Sequence, residues 1–172
     1  MDMNENQKQN DNQLVCSHKA ELIPIKKEEI SGELRADTCQ KLIHEAIESL
    51  KYSYTPYSGF KVGAALLTKD FHVYKGCNIE NVSYTPTNCA ERTAFFKAVS
   101  EGKKDFLAIA IVGGKNGVLT DYCPPCGVCR QVMLEFCNPK NFYVILGKSE
   151  TEYQIYTLEE FIPNGFGPGN LS

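Results

Sequence analysis

Two short stretches hold residue types suited to metal chemistry. TNCAERTA runs from Thr87 to Ala94, and PPCGVCRQ runs from Pro124 to Gln131. Between them they offer Cys89, Cys126 and Cys129 as three thiolate ligands, with Glu91 two residues beyond the first. Three protein ligands leave a tetrahedral zinc ion one open position, and an adjacent carboxylate can work on water there. That is the layout of a hydrolytic zinc site.

Helix geometry constrains how these residues can meet. Cys126 and Cys129 are three apart, so on a helix they lie about 60° apart on one face. Cys89 and Glu91 are two apart, about 200° around a helix, and cannot both face one ion from mid-helix. A helix start removes the conflict, and both stretches fall at predicted helix starts. The partial positive charge there stabilises thiolates. Zinc with three thiolates carries a net charge of about −1, which weakens its Lewis acidity. Arg92, three residues after Cys89, and Arg130, next to Cys129, can offset that charge, so one of them is expected to donate a hydrogen bond to a ligand sulfur.

Plainer readings stand beside this one. Cys123, Cys126 and Cys129 are evenly spaced, so Cys123 is an alternative fourth ligand that would close the site into a structural one. Pro124 and Pro125 follow it, which places it outside the helix and argues against that role. Glu91 can also be read as an ordinary first-turn carboxylate. Cys16, Cys39, Cys77 and Cys137 read as small buried hydrophobes. A fully disulfide-bonded scaffold is disfavoured: the polar, acid-bearing N-terminus lacks a secretory signal, and C-x-x-C sits at a helix start.

The surrounding elements must position these groups. Residues 1–31 form a polar extension expected to be disordered, with an arm docked on a neighbouring subunit as the alternative; residues 32–172 form one domain. Leu42, Ile43, Ala46, Ile47 and Leu50 recur at helical spacing and predict a helix from about Glu33 to Ser53, ended by Pro56. Strands are predicted over Phe60 to Leu67 and Phe71 to Gly76, paired as a hairpin through Thr68 to Asp70. A second helix runs from near Thr87 to Glu101, capped by Thr87 or Asn88. Phe106 to Val112 reads as a buried strand. A third helix carries Cys126 to Cys137, with Pro124 or Pro125 in its first turn. Strands at Phe142 to Leu146 and Glu152 to Thr157 and a short helix over Leu158 to Ile162 complete the chain. The strand–helix–strand order from Phe106 to Leu146 favours a parallel pair. The sum is an α/β domain with a mixed sheet of about five strands.

Composition excludes other classes. The chain has 172 residues, enough for one domain with a real core. A net charge of −3 gives no electrostatic footprint for nucleic acid and argues against a polybasic membrane anchor. No apolar run approaches the length of a bilayer span. The expectation is a soluble intracellular protein.

At this point the sequence resembles the cytidine deaminases of pyrimidine salvage, the small homotetrameric type. The resemblance rests on YTPYSGFKVGAALL (Tyr54 to Leu67), GCNIENVSY (Gly76 to Tyr84), NCAERTAFFKAVSEG (Asn88 to Gly102), PCGVCRQVMLEF (Pro125 to Phe136) and FIPNGFGP (Phe161 to Pro168). It implies a three-layer α/β/α fold, a cytoplasmic location and hydrolytic deamination of cytidine and deoxycytidine. It implies zinc on Cys89, Cys126 and Cys129, with Glu91 moving protons from the attacking water to the ring N3 and the leaving amine. It also implicates Asn78 and Glu80 in holding the ribose and Phe60 in packing against the base. Tyr84 and Phe166 are expected to reach a neighbouring subunit's pocket in a homotetramer with composite sites. The rival readings are a deaminase of another aminopyrimidine, a polynucleotide cytosine deaminase, and a non-catalytic zinc module with no use for Glu91.

Overall fold

Six strands and four helices follow one another along the residues that the computed structural model describes, which are 21–22 and 34–171. Their order is β1 (Glu21–Leu22), α1 (Ala36–Ser49), β2 (Phe60–Thr68), β3 (His72–Cys77), α2 (Ala90–Ser100), β4 (Phe106–Lys115), α3 (Gly127–Phe136), β5 (Tyr143–Gly147), β6 (Tyr153–Thr157) and α4 (Leu158–Phe161). The strands form one sheet in the order β1-β3-β2-β4-β5-β6. Only β4 and β5 run parallel among these pairs, joined through α3 as strand–helix–strand order predicts.

The alternation of the central strands splits the core into two layers. Ala64 and Leu66 of β2, Ile109 and Ile111 of β4, and Val144 and Leu146 of β5 pack toward α2 and α3. Their neighbours Ala65, Leu67, Ala108, Ala110 and Ile145 pack against Cys39, Leu42, Ile43 and Ala46 of α1. A strand buried on both faces reads as a continuous apolar run, which is why these segments show no polar alternation. The result is the expected α/β/α sandwich.

The helices lie close to the sheet because small residues line the contacts. Buried Ala90, Ala94 and Ala98 form one stripe of α2. Opposite them, a Cβ on Gly76 would lie 2.2 Å from the Ala90 carbonyl oxygen and 2.6 Å from the Ala94 amide nitrogen.

 On the opposite face of the sheet, a Cβ on Gly63 would lie 2.0 Å from the Ala46 carbonyl oxygen of α1. Neither glycine leaves room for a side chain, so each sets how closely its helix docks.

Several boundaries differ from expectation. α1 ends at Ser49 and tightens into a 3-10 turn over Leu50–Tyr52 rather than continuing to Ser53. α2 begins at Ala90, with Cys89 itself as the N-cap instead of Thr87 or Asn88. α3 begins at Gly127, so Pro124 and Pro125 precede the N-cap Cys126 rather than filling the first turn. β4 runs on through the two glycines to Lys115, paired with Phe60 to Val62 of β2. A sixth strand was not expected: Glu21 and Leu22 pair antiparallel with Val73 and His72 at the β3 edge. The rest of the proposed extension over residues 1–31, and its boundary with the following domain, lie outside the described residues.

Candidate metal centre and nucleoside site

The N-terminal ends of α2 and α3 converge through their caps. Cys89 caps α2 and Cys126 caps α3, both in extended backbone conformation and both without a side-chain cap hydrogen bond. Cys129 stands in the first turn of α3. The Cys89 and Cys126 Sγ atoms are 3.8 Å apart, and those of Cys126 and Cys129 are 3.4 Å apart. All three sulfurs lie within 4.8 Å of one another. Zn–S bonds of about 2.3 Å in tetrahedral geometry separate two sulfurs by about 3.8 Å, close to these spacings, so one zinc ion suits the triad. Cys123 is not part of this cluster. Its Sγ lies instead against β4, 2.8 Å from the point where a Gly113 Cβ would sit.

Access grades across the triad. Cys129 is buried, Cys89 half-buried and Cys126 exposed. Glu91 is a charged side chain only 4% exposed, an unusual place for a carboxyl group without a function. Burial pushes its pKa up to about 7, helped by negative charge at Cys89. Cys89 moves the other way, to about 5, through hydrogen bonds from the Cys129 thiol and from Arg92. Burial, with the charges of Glu91 and Cys89, raises the Cys123 thiol to about 11. These directions suit a thiolate at Cys89 and an inert thiol at Cys123.

The two arginines part company. Arg92 Nη2 donates to the Thr87 carbonyl at 3.0 Å and approaches the Cys89 sulfur at 3.7 Å. Arg130 turns away from the sulfurs: Nε donates to the Pro125 carbonyl at 2.7 Å and Nη1 to the Phe161 carbonyl at 3.0 Å.

A second group of residues gathers where β2 begins and β3 ends. The Asn78 side chain spans both strands' ends: Oδ1 accepts from the Val62 N–H and Nδ2 donates to the Phe60 carbonyl, each at 2.8 Å. The Glu80 carboxylate accepts the Tyr57 N–H at 2.9 Å and the Ser58 N–H at 3.2 Å. The Ser58 side chain foremost, and then these backbone bonds, lower its pKa. Phe60 is 41% exposed at the mouth of β2. Tyr84 and Phe166 are more exposed still; the Tyr84 ring meets Tyr57 at 6.3 Å, and the Phe166 carbonyl accepts from Gln131 Nε2 at 2.8 Å.

Two bridges join this loop to the sulfur triad. Ile79 and Asn88 exchange backbone hydrogen bonds at 2.9 Å in each direction, directly before Cys89. The Thr93 hydroxyl lies 3.0 Å from the Cys77 carbonyl and 3.1 Å from the Cys89 carbonyl, and accepts from Asn88 Nδ2 at 3.0 Å. Sequence reasoning passed over Thr93. Its signal was local: a threonine four residues after a capping residue can bond back to that residue's carbonyl.

The family model described as the cytidine and deoxycytidylate deaminase zinc-binding region matches residues 36–145. The chain belongs to this deaminase family. A cytidine deaminase of Halalkalibacterium halodurans is 52% identical over 127 residues, covering 74% of this chain and 92% of that protein. One from Sporosarcina psychrophila is 47% identical, covering 77% and 94% respectively. The crystal structure of cytidine deaminase from Burkholderia pseudomallei aligns with a TM-score of 0.67 at 42% identity, covering 73% of this chain and 97% of that one. Zinc is accordingly the cofactor that this deaminase domain accommodates, and the sulfur geometry agrees with it. Among the described residues no helix is long and apolar enough to cross a membrane.

Proposed function

We propose that the chain is a zinc-dependent enzyme that deaminates cytidine and deoxycytidine to uridine and deoxyuridine, releasing ammonia. The observation that carries this reading is the buried Glu91 carboxyl beside a three-sulfur cluster built from two helix caps. A purely structural zinc site would have four protein ligands and no reason to bury a carboxyl group.

Cys89, Cys126 and Cys129 hold the zinc, whose chemistry when bound is to make the attacking water more acidic. Glu91 accepts one proton from that water as its oxygen bonds to C4 of the pyrimidine, and passes the proton to N3. Glu91 then carries the second proton to the exocyclic amine. The C4–N bond breaks, ammonia leaves and a carbonyl remains at C4. Arg92 supports the Cys89 thiolate through its guanidinium.

Asn78 and Glu80 hold the ribose hydroxyls with the hydrogen-bonding capacity left after their contacts to the backbone, and Phe60 packs against the base. The exposed Tyr84 and Phe166 complete the pocket of a neighbouring subunit, in a homotetramer working in the cytoplasm. The test is ammonia release from free cytidine, with and without a zinc chelator. Chelator-sensitive release supports the reading. Release from cytosine in single-stranded DNA but not from cytidine favours a polynucleotide deaminase, and zinc binding with no release from either substrate favours a non-catalytic module. Dilution to monomers should abolish activity; a fully active monomer counts against the composite pocket.

A further inference from the structure

Arg130 is the residue whose contacts the reaction above leaves unexplained. It follows Cys129 in the fourth position of α3, near the positive end of the helix, where a cation is disfavoured by the helix dipole. Among the described residues its recorded partners are backbone carbonyls and an aromatic ring rather than a carboxylate. Its backbone N–H bonds the Cys126 carbonyl at 3.0 Å, and its Nε bonds the preceding Pro125 carbonyl at 2.7 Å. One residue therefore holds both carbonyls that flank the entry to Cys126. Pro125 is buried, so its carbonyl needs a partner, and it lies before the helix ladder that would otherwise supply one.

The other end of the guanidinium faces the C-terminal segment. Nη1 donates to the Phe161 carbonyl at 3.0 Å, and the guanidinium carbon stands 5.2 Å from the centre of the Phe161 ring. The next residue, Gln131, bonds the Phe166 carbonyl at 2.8 Å. The segment crosses α3 so closely that a Cβ on Gly165 would come within 2.7 Å of Leu134. A planar guanidinium can serve two carbonyls in its plane while its face meets a ring; a lysine ammonium has no such fork.

We propose that Arg130 is a positioning residue that braces the metal-binding turn against the C-terminal segment. Through Pro125 it fixes the main chain entering Cys126, and through Phe161 it makes that geometry depend on residues 31 positions away. The inference rests on the reading of Cys126 as a zinc ligand.

The experiment measures the rate at which zinc passes from the loaded protein to a chromophoric chelator. Arg130→Gln and Arg130→Lys should both release zinc roughly 10–100-fold faster, the usual scale for losing a supporting partner of a ligand. Phe161→Leu keeps both carbonyl contacts and loses the ring, so its effect should be smaller. The double variant Arg130→Gln with Phe161→Leu should release zinc more slowly than the product of the single effects predicts, because both changes break one brace. Independent, multiplicative effects, or Arg130→Lys behaving as wild type, would overturn the proposal. If Arg130→Gln does not fold, Arg130→Lys and Phe161→Leu with their double variant carry the same test. Cys126→Ser separates the two readings: wild-type zinc retention there sinks the ligand assignment, whereas zinc loss there with unchanged release from the Arg130 variants sinks only the brace.

Discussion

Cys89 and Cys126 occupy the same position in two different helices and turn toward one another. Each is an N-cap with extended backbone, φ −78° and ψ 156° for Cys89, φ −66° and ψ 164° for Cys126, and their sulfurs are 3.8 Å apart. An ordinary N-cap side chain turns back to accept a hydrogen bond from its own helix. Here neither does, and both sulfurs are free to share an ion while each helix end lends its positive potential. The arrangement also resolves the angular conflict between Cys89 and Glu91. Cys89 stands outside the helix and Glu91 inside its first turn, so the separation of helical neighbours does not apply to them.

Glu91→Gln keeps the size of the side chain and removes its capacity to carry protons. Turnover of cytidine should fall at least about 100-fold, the low end for general acid–base catalysis, with zinc content unchanged. Steady-state kinetics and metal analysis on the same preparation check this. Near-normal turnover would remove Glu91 from the mechanism.

How far the site was legible in sequence depended on distance along the chain. The three cysteines and Glu91 were readable because their chemistry is encoded in spacings of two or three residues. The helix starts were misplaced by a few residues because Thr87 and Pro124 carry strong capping and first-turn preferences, and two cysteines of the sulfur cluster took the cap positions instead. Arg92 and Arg130 looked equivalent, each within three residues of a cysteine of the triad. What separates them is Phe161, a tertiary partner that no local pattern reveals. In the same way the resemblance singled out Asn78 as a candidate ribose contact but could not show it as a clasp on β2, because its partners Phe60 and Val62 lie on another strand. The two layers of the core were legible, since the apolar runs of β2, β4 and β5 leave no solvent-facing side.

Gly76→Ala tests the docking of α2. The added Cβ would sit 2.2 Å from the Ala90 carbonyl oxygen and 2.6 Å from the Ala94 amide nitrogen, both of them backbone atoms of the helix that Cys89 caps. The clash cannot be relieved by a side-chain rotation, so α2 must move. Stability should fall by about 1–3 kcal/mol, the range for overpacking, and zinc should be held less tightly because Cys89 moves with its helix. Urea denaturation and chelator competition measure the two effects; a variant with wild-type stability would refute the close contact.

Alkaline pH should weaken the fold through groups remote from the metal centre. Burial raises the Cys39 thiol from 9.0 to about 11, and burial with the Glu101 contact raises the Tyr74 phenol from 10.0 to about 12. Both groups are neutral when protonated, so the folded state holds their protons more tightly than the unfolded chain. Their contribution is complete below the unfolded values and is lost as pH rises from about 9 toward 12. Urea midpoints should decline over that range, and Cys39→Ala should flatten the decline between about 9 and 11 relative to wild type. An unchanged slope in that variant would exclude Cys39 as a source.

Asn78 and Glu80 should separate into two kinds of binding residue. Asn78→Asp replaces a donor facing the Phe60 carbonyl with an acceptor, while keeping an oxygen for the Val62 N–H. Losing this exposed hydrogen bond costs about 0.5–1.5 kcal/mol, so this variant should lower the melting temperature as well as raise KM for cytidine. Glu80→Gln changes an exposed carboxylate that still can accept the Tyr57 and Ser58 N–H groups. It should raise KM with little change in melting temperature, because the loop retains its acceptor and only the ribose contact loses its charge. Thermal melts and KM measured side by side distinguish the two. Equal thermal losses would mean that Glu80 is as much a clasp as Asn78, and an unchanged KM in both would remove the ribose from this end of the site.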